Sequence, residues 1–231
     1  MNSGKVRAGF AQVGNQATPY QLYTTFNTQL AYNSLNRVSL NNSLKNLNLK
    51  PERTQELEIG TELVMLDGRL NADITYFKKN SFDQIVQADV ATASGFSRQV
   101  INSGEIQNAG WELGINGTPI STTSGLDWNL GIVFSKIKSE IIDAGEGGDI
   151  IITGDGSSSD YPVQVIHRSG AGYGQIYGTR YARSDDGQLL IDQALGTPIL
   201  DNGSHVIGDP NPDFILGINN RVSFKGFSLT A

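Results

Sequence analysis

Few residues of this chain could do chemistry, and their spacing assembles no catalytic set. There is no cysteine among the 231 residues, which removes thiol nucleophiles, thiolate metal sites and disulfides. The two histidines, His167 and His205, stand far apart with no partner pattern around either, and each reads as a loop histidine. No Gly-x-Ser-x-Gly elbow accompanies a serine, a histidine and an acid. No two carboxylates can be placed together as a glycosidase requires. The run Gly170-Ala171-Gly172-Tyr173-Gly174 looks like a phosphate loop, but no helix follows to offer its N-terminus. Two groupings carry a weaker suggestion. Asp143, Glu146, Asp149, Asp155 and Asp160 are hard oxygen donors in a Gly/Ser-rich stretch, 143–160, and could hold Ca²⁺. Their spacing does not match an EF-hand, and a solvated acidic loop accounts for them better. Tyr161, Tyr173, Tyr177 and Tyr181 offer flat faces beside polar neighbours, as sugar sites do; the same tyrosines could equally pack the loop down. No catalytic residue is expected.

The elements that position these residues are strands. With 27 glycines, 38% hydrophobic and 17% charged residues, the composition turns away from helices and toward short strands and turns. A formal net charge of -6 argues against a nucleic-acid partner. No apolar run is long enough for a membrane-crossing helix, although a transmembrane β-strand, apolar on one face only, would not produce one. Alternation with period two is clean in several places. Leu70, Ala72, Ile74 and Tyr76 alternate with Arg69, Asn71, Asp73 and Thr75. Leu57, Ile59, Leu63 and Met65 oppose the acidic row Glu56, Glu58 and Glu62. Trp128, Leu130, Ile132 and Phe134 share a face, as do Leu216, Ile218, Val222 and Phe224. Weaker versions run over 5–13 and 106–119.

The connections separate two architectures. Asp67-Gly68, the stretch 121–125 and Lys225-Gly226 are tight reversals. Between them lie long connections, about 15–52, 80–104 and 139–210. Short and long alternate strictly, so all long loops fall at one end of an antiparallel sheet. Compact domains seldom carry structureless loops longer than about 12–15 residues. Outer-membrane barrels have short periplasmic turns and long extracellular loops. Aromatics near strand ends (Phe10, Tyr76, Phe77, Trp111, Trp128, Phe134 and Phe214) suit interfacial girdles, or an ordinary core. The expected fold is all-β, a partial antiparallel transmembrane β-barrel. The rival is a soluble secreted β-sandwich, a carbohydrate-binding module whose apolar rows face each other in a dry core.

Several motifs, in order, resemble one family. Leu49-Lys50-Pro51-Glu52, followed by Thr54, Glu56 and Gly60, is similar to a strand entry of TonB-dependent outer-membrane transporters. The run 69–77 resembles their next strand, and 102–113, with Asn102, Gly104, Asn108, Gly110 and Glu112, resembles a later one. The ending Gly208-Asp209-Pro210-Asn211-Pro212-Asp213-Phe214, then Lys225-Gly226-Phe227, is similar to the SusC/RagA-like branch. This resemblance implies an outer-membrane nutrient importer for oligosaccharides or peptides, working with a SusD-like lipoprotein over its extracellular loops. It implies energy from the TonB system acting on a plug, and no enzyme activity or cofactor. Family barrels have about 22 strands. The chain, 1–231, therefore reads as a piece of the C-terminal half of the barrel, without the plug. Glu56, Glu58, Glu62, Arg69 and Asp73 would then face the lumen, and the four tyrosines would meet substrate or partner.

Overall fold

The computed structural model describes residues 3–33, 35–145, 148–154 and 163–231. In chain order the strands are β1 (Ser3–Asn15), β2 (Phe26–Tyr32), β3 (Leu35–Leu40), β4 (Ser43–Leu44), β5 (Glu52–Met65), β6 (Leu70–Phe82), β7 (Ile85–Asp89) and β8 (Arg98–Asn102). There follow β9 (Glu105–Ser121), β10 (Leu126–Asp143), β11 (Ile150–Gly154), β12 (Gln164–His167), β13 (Ile176–Tyr181), β14 (Leu200–Gly208), β15 (Ile215–Phe224) and β16 (Phe227–Thr230).

Seven of them form one antiparallel sheet in the order β1-β5-β6-β9-β10-β15-β16. Tight turns join its hairpins at one end. Lys225 and Gly226 both take positive φ, 46° and 88°, as the two-residue turn that matches strand twist demands. At Asp67-Gly68 the reversal is wider than the dipeptide suggested. Leu66 joins it at φ 54°, and the ladder resumes at Met65 opposite Leu70. Thr122 closes the third turn, accepting from the Leu126 N–H at 3.0 Å.

The register aligns all the apolar rows on one face. Ile59 pairs with Tyr76, Tyr76 with Trp111, and Ile132 with both Ile115 and Ile218. None of the described residues covers this face: Phe10 is 69% exposed, Ile218 59% and Leu216 52%. A sandwich would bury these rows against a second sheet. The residues 126–134 on β10 match the about 9–11 that a tilted strand needs to cross a bilayer. Aromatics bracket that length. Tyr76 packs on Trp111 with centroids 4.9 Å apart, and Phe134 on Phe214 at 5.9 Å. At the turn end, Trp128 Nε1–H donates to Asn220 Oδ1 at 2.7 Å, the polar handle that suits tryptophan to an interface. Phe77 departs from the expected girdle. It pairs with Glu58 and Gly110, on the opposite, polar face.

The long connections are not structureless. The first carries the β2–β3 hairpin, and its β4 pairs in parallel with β8 of the second connection, extending the β7–β8 hairpin. The third folds into the four-stranded sheet β11-β12-β13-β14. It is clamped to the top of β10 by Ile141 N–H to Ala171 O (2.9 Å) and Gly170 N–H to Ile141 O (2.7 Å). The buried core lies at this end: Ile106, Ile141 and Ala144 form its cluster, with Val100, Ile150 and Ile166 also buried.

A charge on the two faces should therefore have unequal effects. In the full-length protein in bilayers, Ile132→Arg is expected to destabilise by about 2–4 kcal/mol. Asn219→Arg, on the polar face, should change stability by less than about 0.5 kcal/mol. Denaturant unfolding of the two variants checks this.

Candidate functional site

The polar face is organised by one side chain. Arg7 on β1 lies opposite Gly60 on β5, and a Cβ at position 60 would sit 2.8 Å from the guanidinium. Because Gly60 leaves that space, Arg7 reaches across β5 to β6. There it grips Asp73 with two bonds, Nη1 to Oδ2 at 2.7 Å and Nη2 to Oδ1 at 3.1 Å. It also donates to Glu58 at 3.2 Å, Glu62 at 3.1 Å and the Thr75 hydroxyl at 2.5 Å. Lys5 adds a contact to Glu62 at 3.4 Å. The forked geometry of guanidinium and carboxylate makes this a directional lock between three strands.

Of the acidic residues anticipated from sequence, Glu58, Glu62 and Asp73 meet in this network. Glu56 shares their face and stands opposite Lys79. Arg69 sits in the turn instead, spending its guanidinium on the Thr118 and Pro119 carbonyls of β9, at 3.0 and 3.1 Å. Toward that end, Asn71, Asn116, Gly131 and Asn219 lie level across β6, β9, β10 and β15. With Arg69 and Arg221 they line a concavity of about 420 Å³. Arg7 and Gly60 were missed in the sequence. The alternation over 5–13 set Arg7's face, but only the β1–β5 register shows what it opposes.

Above the sheet, the expected loop residues separate. Tyr161 lies outside the described residues. Tyr177 is 3% exposed, under the Arg168 guanidinium at 4.8 Å, with its hydroxyl 3.3 Å from Gln175 Oε1. It packs the loop. Tyr173 and Tyr181 remain exposed, Tyr173 against the His167 ring at 4.9 Å. His167 is buried, pairs with Ile150 and has no partner for Nδ1 among the described residues. Burial holds its pKa below the usual histidine value. His205 Nε2 lies 2.8 Å from Asp201 Oδ2, and this contact, with the Gly203 N–H, holds the Asp201 carboxyl below its ordinary range.

Among the acids considered for Ca²⁺, Glu146, Asp155 and Asp160 lie outside the described residues. Asp143 accepts the Gly145 N–H at 2.9 Å, and Asp149 is held by Arg168 at 2.7 Å. No three His, Asp or Glu side chains converge on a metal position among the described residues. The geometry of the described residues suits a wet, charged wall and a folded cap. It does not line up a nucleophile with a base.

Residues 2–227 match the family model described as the TonB dependent receptor-like β-barrel. The chain belongs to that family. Among curated relatives, TonB-dependent receptor P3 of Formosa agariphila is 29% identical, the match covering 97% of this chain and 24% of the relative. TonB-dependent receptor SusC of Bacteroides thetaiotaomicron is 24% identical over 80% of this chain and 19% of its own length. The solved RagAB peptide importer in its 'closed-closed' state superposes with a TM-score of 0.74 at 17% identity, covering 99% of this chain and 26% of that one. This last likeness establishes the fold. The chain spans about a quarter of the length of the relatives it matches. TonB-dependent receptors are outer-membrane proteins and transporters, not enzymes, so the short turns are periplasmic and the loop sheets extracellular. The bare apolar face meets lipid.

His167 gives this extracellular cap a defined pH response. An unfolded loop ionises its histidine near the ordinary value of about 6.5, whereas the buried ring ionises only at lower pH. Between the two, the opened loop binds more protons, so the folded cap keeps its full stability above about pH 6.5 and loses it as pH falls. Hydrogen exchange in 164–181, corrected for intrinsic rates, should quicken between pH 7.5 and 5. His167→Phe should flatten that response.

Proposed function

We propose that the full-length protein is a SusC/RagA-type importer that carries oligosaccharides across the outer membrane, using energy from the TonB system through a plug in the lumen. The observation that carries this reading is the two-faced sheet, bare and apolar on one side and bearing the Arg7 network on the other. In such a barrel, Glu56, Glu58, Glu62, Arg69 and Asp73 belong to the lumen wall, where fixed charges meet the plug and the passing solute. Tyr173 and Tyr181, exposed on a polar extracellular loop, supply flat faces on which sugar rings stack. The relative named for peptide import makes peptides the competing cargo.

The partner is a SusD-like lipoprotein seated on the extracellular cap. The arm between β13 and β14 leaves Leu189, Leu190, Ile191, Leu195 and Ile199 substantially exposed, an apolar strip of the kind a partner covers.

Two outcomes test the reading. The full-length protein should take up labelled oligosaccharide only when TonB is intact; uptake of labelled peptides alone would transfer the reading to peptide cargo. Arg7→Met, Asp73→Asn and Gly60→Val should each cut that uptake severalfold while heat-modifiable barrel assembly stays unchanged. Combining Gly60→Val with Arg7→Met should add nothing, since both remove the same reach across β5. Unaltered uptake in all three would show the network to be passive.

A further inference from the structure

Whatever the cargo, the lipid-facing side of the sheet ends, at its extracellular rim, in cations. Side chains two residues apart on a strand share a face, so Lys78 follows Tyr76 onto the outward side of β6. The ladders place Lys136 of β10 opposite Trp111 of β9, and set Lys78 and Lys138 on either side of Ala109. All three lysines are exposed. Two residues of strand rise about 7 Å, so Lys136 stands level with the Tyr76–Trp111 pair and the other two one step beyond it. At the turn end the same face closes instead on Met65 opposite Leu70 and Leu126 opposite Phe224.

The protein neutralises only part of this charge. Glu140, the next residue outward on the same side of β10, holds Lys138 at 2.5 Å. Lys78 and Lys136 have no hydrogen bond or ion pair with any described residue. In bulk water exposed lysines need no partner. These two lie where the apolar rows give way past an aromatic pair, and in an outer-membrane barrel that level is the headgroup layer of the outer leaflet. Their long apolar stems lie along the face while the ammonium groups reach the polar layer. The counter-charge available there belongs to lipid.

The relief of the surface suits a headgroup. Between Lys78 and Lys138 the intervening strand presents only the Ala109 methyl, leaving a gap of two strand spacings, about 10 Å. Below the gap Trp111, 54% exposed, offers a flat apolar face, and Ile74, Leu113 and Phe134 continue that path into the bilayer. Lysine ammonium groups bind phosphate as compact, charge-assisted donors, and basic clusters at the membrane surface gather anionic headgroups. We propose that Lys78, Lys136 and Lys138 form a seat for the phosphate of an outer-leaflet lipid, whose acyl chains run down over Trp111.

The test is native mass spectrometry of the delipidated full-length protein, given bisphosphorylated lipid A or the same lipid stripped of its phosphates, with EDTA present to remove bridging cations. The wild type should retain the phosphorylated lipid severalfold better. Lys78→Gln/Lys136→Gln should cut that preference threefold or more; Lys136→Gln alone should lower it too, and serves if the double variant does not assemble. Lys79→Gln, one residue along β6 but on the lumen side, should leave it intact. Equal retention of the two lipids by the wild type would overturn the proposal, as would a preference that survives in the lysine variants or falls equally in Lys79→Gln. Displacement of the lipid by inorganic phosphate at matched ionic strength would assign the lysines to a soluble anion and overturn the lipid seat.

Discussion

Everything in this chain depends on an apolar sheet face that none of the described residues covers. Burying apolar surface is worth roughly 25 cal/mol per Å², and a water-soluble domain would recover that energy by packing its rows against each other. Here Phe10, Leu216 and Ile218 stay more than half exposed, while the side chains opposite them are charged or amide-bearing. Only a solvent that is itself apolar makes such a face stable. A bilayer is that solvent, and it imposes a second condition. Backbone N–H and C=O groups within it must be paired along the ladder, which explains a long, regular, seven-stranded register with tight reversals at one end.

The same constraint relocates the core. Within the bilayer, packing is left to lipid on one face and to the lumen on the other, so Ile106, Ile141 and Ala144 gather above it. There the long connections return to water and must satisfy their backbone as ordinary domains do, which they achieve with small sheets of their own. On the polar face charge spans the strands: a glycine at position 60 clears the path for Arg7 to reach from β1 across β5 to β6.

Much of this is legible in the sequence. Period-two rows such as Leu70, Ala72, Ile74 and Tyr76 are a local signal, because alternation is a property of the strand itself. The short turns were equally readable, since Asp67-Gly68 and Lys225-Gly226 carry residues suited to positive φ. What was hidden depended on pairing between distant segments. Arg7 and Asp73 are two strands apart in space, and nothing local to either indicates the other. The ends of β6 beyond Lys79 and of β10 beyond Lys136 are not legible, because the alternation fades there. The loop sheets are not legible in the sequence for a related reason. Their strands are short, and β4 finds its partner β8 only through a parallel pairing across about fifty residues of sequence. Of the tyrosines, residue type suggested a common role, but burial separates Tyr177 from Tyr173 and Tyr181.

The central claim, that one face of this sheet meets lipid and the other water, has a direct measurement. The segment contains no cysteine, so single cysteines introduced along 130–135 of β10, in an otherwise cysteine-free full-length protein, report without background. In outer-membrane vesicles, positions 130, 132 and 134 should crosslink to a photoactivatable lipid and resist a water-soluble maleimide. Positions 131, 133 and 135 should do the reverse. Lipid crosslinking absent from every position, with both rows shielded or both open to water, would contradict the account.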